Sequence, residues 1–226
     1  MISLRKILRK IKRKFHLNAT DRILRSGSGV IHVGANIGQE REQYYKMDLN
    51  VLWVEPIPHI FEQLNENISD IPKQEAIQAL VTDKDGESYD FNIASNNGAS
   101  SSIFDIKEHA DIWPDVKFED RIGLNSITLA SLLQKYSIDL SFYDTLIMDT
   151  QGSELLVLKG AGSILRKFSF VRTEVADFES YSGCCQLDDI NEFMELNKFR
   201  QFSRYAFAHR KDGGTYFDII YKREAW

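Results

Sequence analysis

Residues Val30 to Val33 form a short apolar β-type run that enters the glycine turn Gly34-Ala35-Asn36-Ile37-Gly38 and leaves into a pattern with helical spacing. A second apolar run, Val51-Leu52-Trp53-Val54, ends on Glu55, 17 residues after Gly38. Strand, tight turn, helix and a second strand tipped by a carboxylate is how nucleoside-binding α/β folds begin: the turn lets a ligand approach the backbone, and the carboxylate accepts from ribose hydroxyls. The two linked features constrain the chain to an open, mostly parallel sheet covered by helices on both faces.

The turn also selects among adenosine cofactors. A dinucleotide site needs a glycine at the middle of the turn so that the backbone can approach a pyrophosphate. Asn36 occupies that position. A pyrophosphate would meet its side chain, whereas S-adenosylmethionine carries no phosphate and needs only a turn past which its methionyl part can run. An NAD-dependent oxidoreductase is disfavoured on this ground.

Strand-like segments fall near 29–34, 51–55, 76–82, 143–149, 169–175, 199–207 and 215–222, and helix-like segments near 37–47, 57–68, 127–136, 153–166 and 186–197. Their alternation predicts a doubly wound, mostly parallel seven-stranded sheet. The short loop His209 to Gly214 makes the last pair an antiparallel hairpin. Residues 88–125 interrupt the alternation with an added strand near Tyr89–Ile93, a polar run and an irregular stretch around Trp113-Pro114, an insert of the kind that covers an active site. With 226 residues, 43% of them hydrophobic, the chain can bury one core without disulfides or metal. Its two cysteines, Cys184 and Cys185, are adjacent and imply no disulfide framework, which suits a reducing, cytoplasmic setting.

Residues 1–16 hold seven Lys or Arg and no acid, while Leu4, Ile7, Leu8, Ile11 and Phe15 share one helical face. Removing those seven charges from the net of -5 leaves the rest of the chain at -12, so the positive charge is confined to this segment. We read residues 1–17 as a basic amphipathic arm suited to peripheral contact with an anionic membrane, and 18–226 as one catalytic domain. The acidic body, without an interleaved basic and aromatic stripe, argues against a nucleic-acid partner.

The second informative block is Thr145 to Ala161. A buried strand ends at Asp149, a polar turn follows, and Ser153 can cap the next helix. Ligands in an open parallel sheet sit at the carboxyl ends of strands, so Asp149 is expected to share a crevice with the Gly34–Gly38 turn and Glu55, and Glu174 on the following strand to lie beside it. Two carboxylates there can orient a hydroxyl, remove its proton or hold a divalent cation. The cation is the weaker reading, because two carboxylates would leave most of an octahedral shell to water and substrate. His209, at the ligand side of the sheet, and His109, in the insert, are further candidate bases.

These motifs together, V-G-A-N-I-G, W-V-E-P, the N-G-A-S-S-S run at Asn97–Ser102 and the I-M-D-T-Q-G-S-E-L-L-V-L-K-G-A block, resemble the FkbM family of S-adenosylmethionine-dependent methyltransferases over about Gly29 to Tyr221. The resemblance implies a class I methyltransferase sheet and O-methylation of sugars in glycans and glycolipids, or of secondary metabolites. It places Gly34, Asn36 and Gly38 on the methionyl half of the cofactor, Glu55 on the ribose and the Val81–Asp83 segment near the adenine. The full set expected around the cofactor is His32, Gly34, Ala35, Asn36, Gly38, Glu55, Pro56, Val81, Thr82 and Asp149, with Asp149, Glu174 and His209 on the reaction. Two positions depart from the family: His32 stands where an acid commonly orders the cofactor's amino group, and Met148 where a lysine often precedes the aspartate. A non-catalytic membrane or partner-binding module on the same fold is the alternative that His32 keeps open, against the retention of Glu55, Asp149 and Glu174.

Overall fold

The computed structural model describes residues 4–224, with side chains from Lys12 onward. A seven-stranded sheet runs through the centre, built from β1 (Gly29–Val33), β2 (Asn50–Glu55), β3 (Gln74–Gln78), β7 (Thr145–Met148), β8 (Phe170–Ala176), β9 (Phe199–His209) and β10 (Thr215–Arg223). Its order is β3-β2-β1-β7-β8-β10-β9, parallel except for β10, which pairs antiparallel with both β8 and β9. The chain winds from β1 outward to β3 on one side, then returns to β7 on the other. The switch point, where ligands bind in such sheets, therefore lies between β1 and β7.

Alternation along the strands splits the core in two. Ile31, Val33, Leu146, Met148 and Val171 face α4 (Leu129–Lys135), α5 (Glu154–Ala161) and α6 (Leu187–Leu196). Val30, Val51, Trp53 and Ile147 face the other way, toward α1 (Leu4–Ser26), α2 (Arg41–Lys46) and α3 (Pro58–Ile68). The strands β1, β2 and β7 are almost wholly buried, which is why they read as continuous apolar runs.

Several expected boundaries move, each for a physical reason. The segment 76–82 is two strands: β3 ends at Gln78, and after Ala79 the chain turns into β4 (Leu80–Thr82), which joins a separate sheet. That sheet, in the order β4-β6-β5, contains β5 (Ser88–Ala94) and the long β6 (Phe118–Thr128), where an irregular stretch was expected. The helix expected at 37–47 is only α2, because Asn36 and Gly38 adopt positive φ of 46° and 71° and hold residues 34–40 as a loop. Ser153 donates to the Thr150 carbonyl instead of capping α5, while the buried Glu154 accepts from the backbone N–H groups of Thr150 and Gly152 at 3.0 Å each.

The arm does not end at residue 17. Helix α1 runs through that boundary, and His16, Ala19, Thr20, Ile23 and Leu24 are buried against the domain. His16 Nδ1 lies 2.8 Å from Ser203 Oγ on β9, and Nε2 lies 3.1 Å from Asp218 on β10. The apolar positions Leu4, Ile7, Leu8 and Ile11 lie outside the described side chains. No described helix is long and apolar enough to cross a membrane.

Candidate active site

A cavity of about 240 Å³ opens at the switch point. Eight of the expected cofactor residues line it: His32, Gly34, Ala35 and Asn36 from the first strand and turn, Glu55 and Pro56 from the end of the second, Val81 from β4 and Asp149 from just past β7. Gly38 and Thr82 do not. Gly38 packs toward Leu64 of α3, and the Thr82 hydroxyl is turned to the Lys84 carbonyl. At Gly34, with φ of 79°, a Cβ would collide with the Asp149 carbonyl, so only glycine lets the ends of β1 and β7 meet there.

Asn36 ties the turn together through its side chain. Its Oδ1 accepts from its neighbour Ile37 N at 2.9 Å and from Gln39 Nε2 at 3.1 Å, and its Nδ2 donates to the Asn97 carbonyl at 3.0 Å. The glycine turn is thereby tied to the Asn97–Ser102 run of the insert. Behind it, Ser102 Oγ donates to the Gln151 carbonyl at 2.8 Å and Tyr181 donates to Gln151 Oε1 at 2.8 Å. The insert is a lid pinned from both ends, since Lys107 N and His109 N also donate to the Ser180 carbonyl.

Glu55 is 4% exposed, and each oxygen accepts one backbone hydrogen bond, from Asn36 N at 2.8 Å and Ile57 N at 3.0 Å. Each oxygen keeps a further lone pair for the cavity. Burial pushes its carboxyl up to about 7 against the pull of those two N–H groups. Asp149 is raised in the same sense by burial, with Gln151 Nε2 donating to Oδ1 at 2.6 Å. Glu174 is raised well above the usual carboxyl range by burial and by the charge of Asp149. The nearby Arg172 is held by Asp218, with bonds of 2.9 and 2.5 Å. No group of three or more His, Cys, Asp or Glu able to hold a metal occurs among the described residues.

Both departures from the family pattern have structural causes. His32 stacks on Trp53 at 5.1 Å and lies 3.3 Å from the Tyr44 hydroxyl, on the face of β1 that packs under α2. Burial drops its pKa to about 3, so it is a neutral ring at the cavity floor. Met148 is buried on the opposite face among core residues, where a lysine would be a buried charge. His209 is exposed at the end of β9, 3.1 Å from Thr215 Oγ1, and lines neither this cavity nor its neighbour. His209 therefore stands outside the site. Gln151, Glu154 and Tyr181 had no reading of their own in the sequence. The first two sit inside the informative block, but Tyr181 arrives from the loop after β8 with no local signal.

The sheet order, the reversed β10 and a carboxylate-lined cavity at the switch point define the class I methyltransferase fold. The methyltransferase FkbM domain matches residues 32–201, and the chain belongs to that family of methyltransferases. The fold is similar to that of magnesium protoporphyrin IX methyltransferase from Synechocystis PCC 6803, solved with bound SAM (9% identity, 95% of this chain and 81% of that one, TM-score 0.53). It is also similar to the methyltransferase domain of bacterial CtHen1-C (9% identity, 93% and 97%, TM-score 0.50). A protein of the NADB-Rossmann superfamily from Streptococcus agalactiae matches at 11% identity and TM-score 0.50; the aligned part covers 88% of this chain and 64% of that protein's length. No curated protein matches the sequence.

Proposed function

We propose that the protein transfers the methyl group of S-adenosylmethionine to a hydroxyl oxygen, on a sugar of a glycan or glycolipid. The observation that carries this reading is the position of Gln151 between two cavities, with Asp149 lining the first and Glu174 the second. Two carboxyl groups thus border the place where donor and acceptor would meet.

The residues present fit the cofactor. The free lone pairs of Glu55 suit two ribose hydroxyls, Leu80, Val81 and Phe91 offer an apolar wall for a base, and the Asn36 side chain fills the place a pyrophosphate would need. Bound there, S-adenosylmethionine supplies a methyl group already activated by its sulfonium. What the protein adds is position and a proton sink. Asp149, its carboxyl raised toward neutrality and held by Gln151, accepts the proton of the acceptor hydroxyl, and Glu174 orients that hydroxyl from the far side. No metal is required in this scheme.

Methyl transfer from tritiated S-adenosylmethionine to a panel of methyl hexopyranosides, glycolipids, simple alcohols and phenols, with chelator present, tests the reading. Label on a sugar oxygen supports it. Label confined to alcohols or phenols moves the acceptor to another class, and label on nitrogen or carbon overturns it.

We also propose that the start of α1 seats the enzyme on an anionic membrane. Lys12, Arg13 and Lys14 are exposed, and Phe15 is 68% exposed although its neighbour His16 is buried. Adjacent helical residues point about 100° apart, so the face carrying Phe15 is separate from the docked face. Charge and an unused aromatic side chain support the surface reading.

A further inference from the structure

A second cavity, of about 210 Å³, lies on the far side of Gln151, walled by Trp113, Phe207 and Tyr216 and edged by Asn96, Ser100 and Glu174. His109 also lines it, from the 3₁₀ turn Glu108–Asp111 of the insert. Its ring is held on several sides: Trp113 and Tyr181 pack at 4.6 and 5.0 Å, Tyr216 meets it edge-on, and Nδ1 lies 2.7 Å from the Tyr216 hydroxyl. A phenol is a stronger hydrogen-bond donor than a neutral imidazole, so the Tyr216 hydroxyl donates to Nδ1 and the ring hydrogen lies on Nε2. Nε2 is buried and has no hydrogen-bond partner.

An orphaned buried donor is costly, and folded proteins seldom keep one without a use. Burial lowers the imidazole pKa to about 4, so the ring stays neutral and is a poor base. The lining contains Glu174 and no lysine or arginine, which disfavours an anionic acceptor such as a uronate or a sugar phosphate.

We propose that His109 is a positioning residue whose Nε2–H holds an acceptor oxygen adjacent to the one methylated, and that the cavity it lines is a subsite for a neutral, hydroxylated ring packed on Trp113. This rests on the O-methylation reading above. His109 carries no proton in the reaction; it fixes where the ring sits.

The variants separate the two nitrogens. Glutamine places an amide where Nε2 was, and asparagine places one where Nδ1 was. With whichever hydroxyl compound the native protein methylates, H109N is expected to raise the acceptor KM by about tenfold or more at nearly unchanged kcat, while H109Q stays within about threefold of native. Both are expected to bind S-adenosylhomocysteine as the native protein does, by calorimetry. The reverse order, with H109Q impaired and H109N native, makes the ring a prop for Tyr216 and overturns the inference while leaving methyl transfer in place. Equal loss in both variants overturns it too. If the native protein methylates no hydroxyl compound, the O-methylation reading itself fails, and this inference with it.

Discussion

Gln151 Nε2 donates to Asp149 Oδ1 at 2.6 Å, and the same side chain borders both cavities. The residue adopts a positive φ of 51°, and Tyr181 anchors its other amide atom, so the orientation of the carboxylate is set from the loop after β8. Gln151→Ala removes this hold and merges the two spaces. Turnover is expected to fall by about 10- to 100-fold, the scale set by small misplacements of a reacting group. Affinity for S-adenosylhomocysteine is expected to change little. A variant that instead loses cofactor binding with unchanged kcat would assign Gln151 to the cofactor.

Asp149→Asn keeps the size and the approach of Gly34 to the backbone but abolishes proton acceptance. Turnover is expected to drop roughly 10²- to 10⁴-fold, the range for general-base catalysis. Native turnover by this variant on the accepted compound would make the carboxylate a spectator.

The cavity also shapes stability against pH. Glu55 has its carboxyl raised from 4.5 to about 7 in the fold, so the folded chain holds this proton more tightly than the unfolded chain does. Its contribution is fully present below the unfolded value of 4.5 and is lost as pH rises through about 7. The raised Asp149 and Glu174 act in the same direction. Urea unfolding without ligand is expected to show lower stability at pH 8 than at pH 5. The Glu55 share is on the order of 3 kcal/mol. Glu55→Gln flattens that slope, whatever it does to absolute stability; an unchanged slope contradicts the assignment.

What could be read in advance follows from how local each signal is. The Gly34 turn, Glu55 and Asp149 sit at the ends of buried strands, where apolar runs and their termini are visible in sequence. The β9–β10 hairpin was legible from its short polar loop. β6 was not, because only Ile122 and Leu124 pack on the small core of Ile57, Ile60 and Phe91, while Glu119, Asp120 and Arg121 are exposed and hide the alternation. α2 is shorter than the spacing after Gly38 predicts, because part of that spacing falls in a loop held by the Asn36 side chain. Tyr181 and Trp113 reach the site only through long-range packing, which no spacing records. The docking of His16 on Asp218 was masked by the basic pattern around it.

For the membrane proposal, a chain beginning at Lys12 retains the docked half of α1 and loses Arg5, Lys6, Arg9 and Lys10. At about 1 kcal/mol for each basic residue near an anionic surface, binding to phosphatidylserine vesicles is expected to weaken by roughly 10³-fold at low salt. Sedimentation of the full and shortened chains measures this. Equal binding, or binding indifferent to salt, removes the segment from the account.

The central claim is that the cavity between Glu55 and the Gly34 turn takes an adenosine cofactor without a pyrophosphate. Calorimetric titration of S-adenosylhomocysteine and of NADH into the native protein and Glu55→Ala tests it most directly. The account predicts binding of the first and not the second, and a loss of about 1.5 to 3 kcal/mol in Glu55→Ala, the range for hydrogen bonds to a charged group. Tight NADH binding, or an affinity for S-adenosylhomocysteine that Glu55→Ala leaves unchanged, contradicts it.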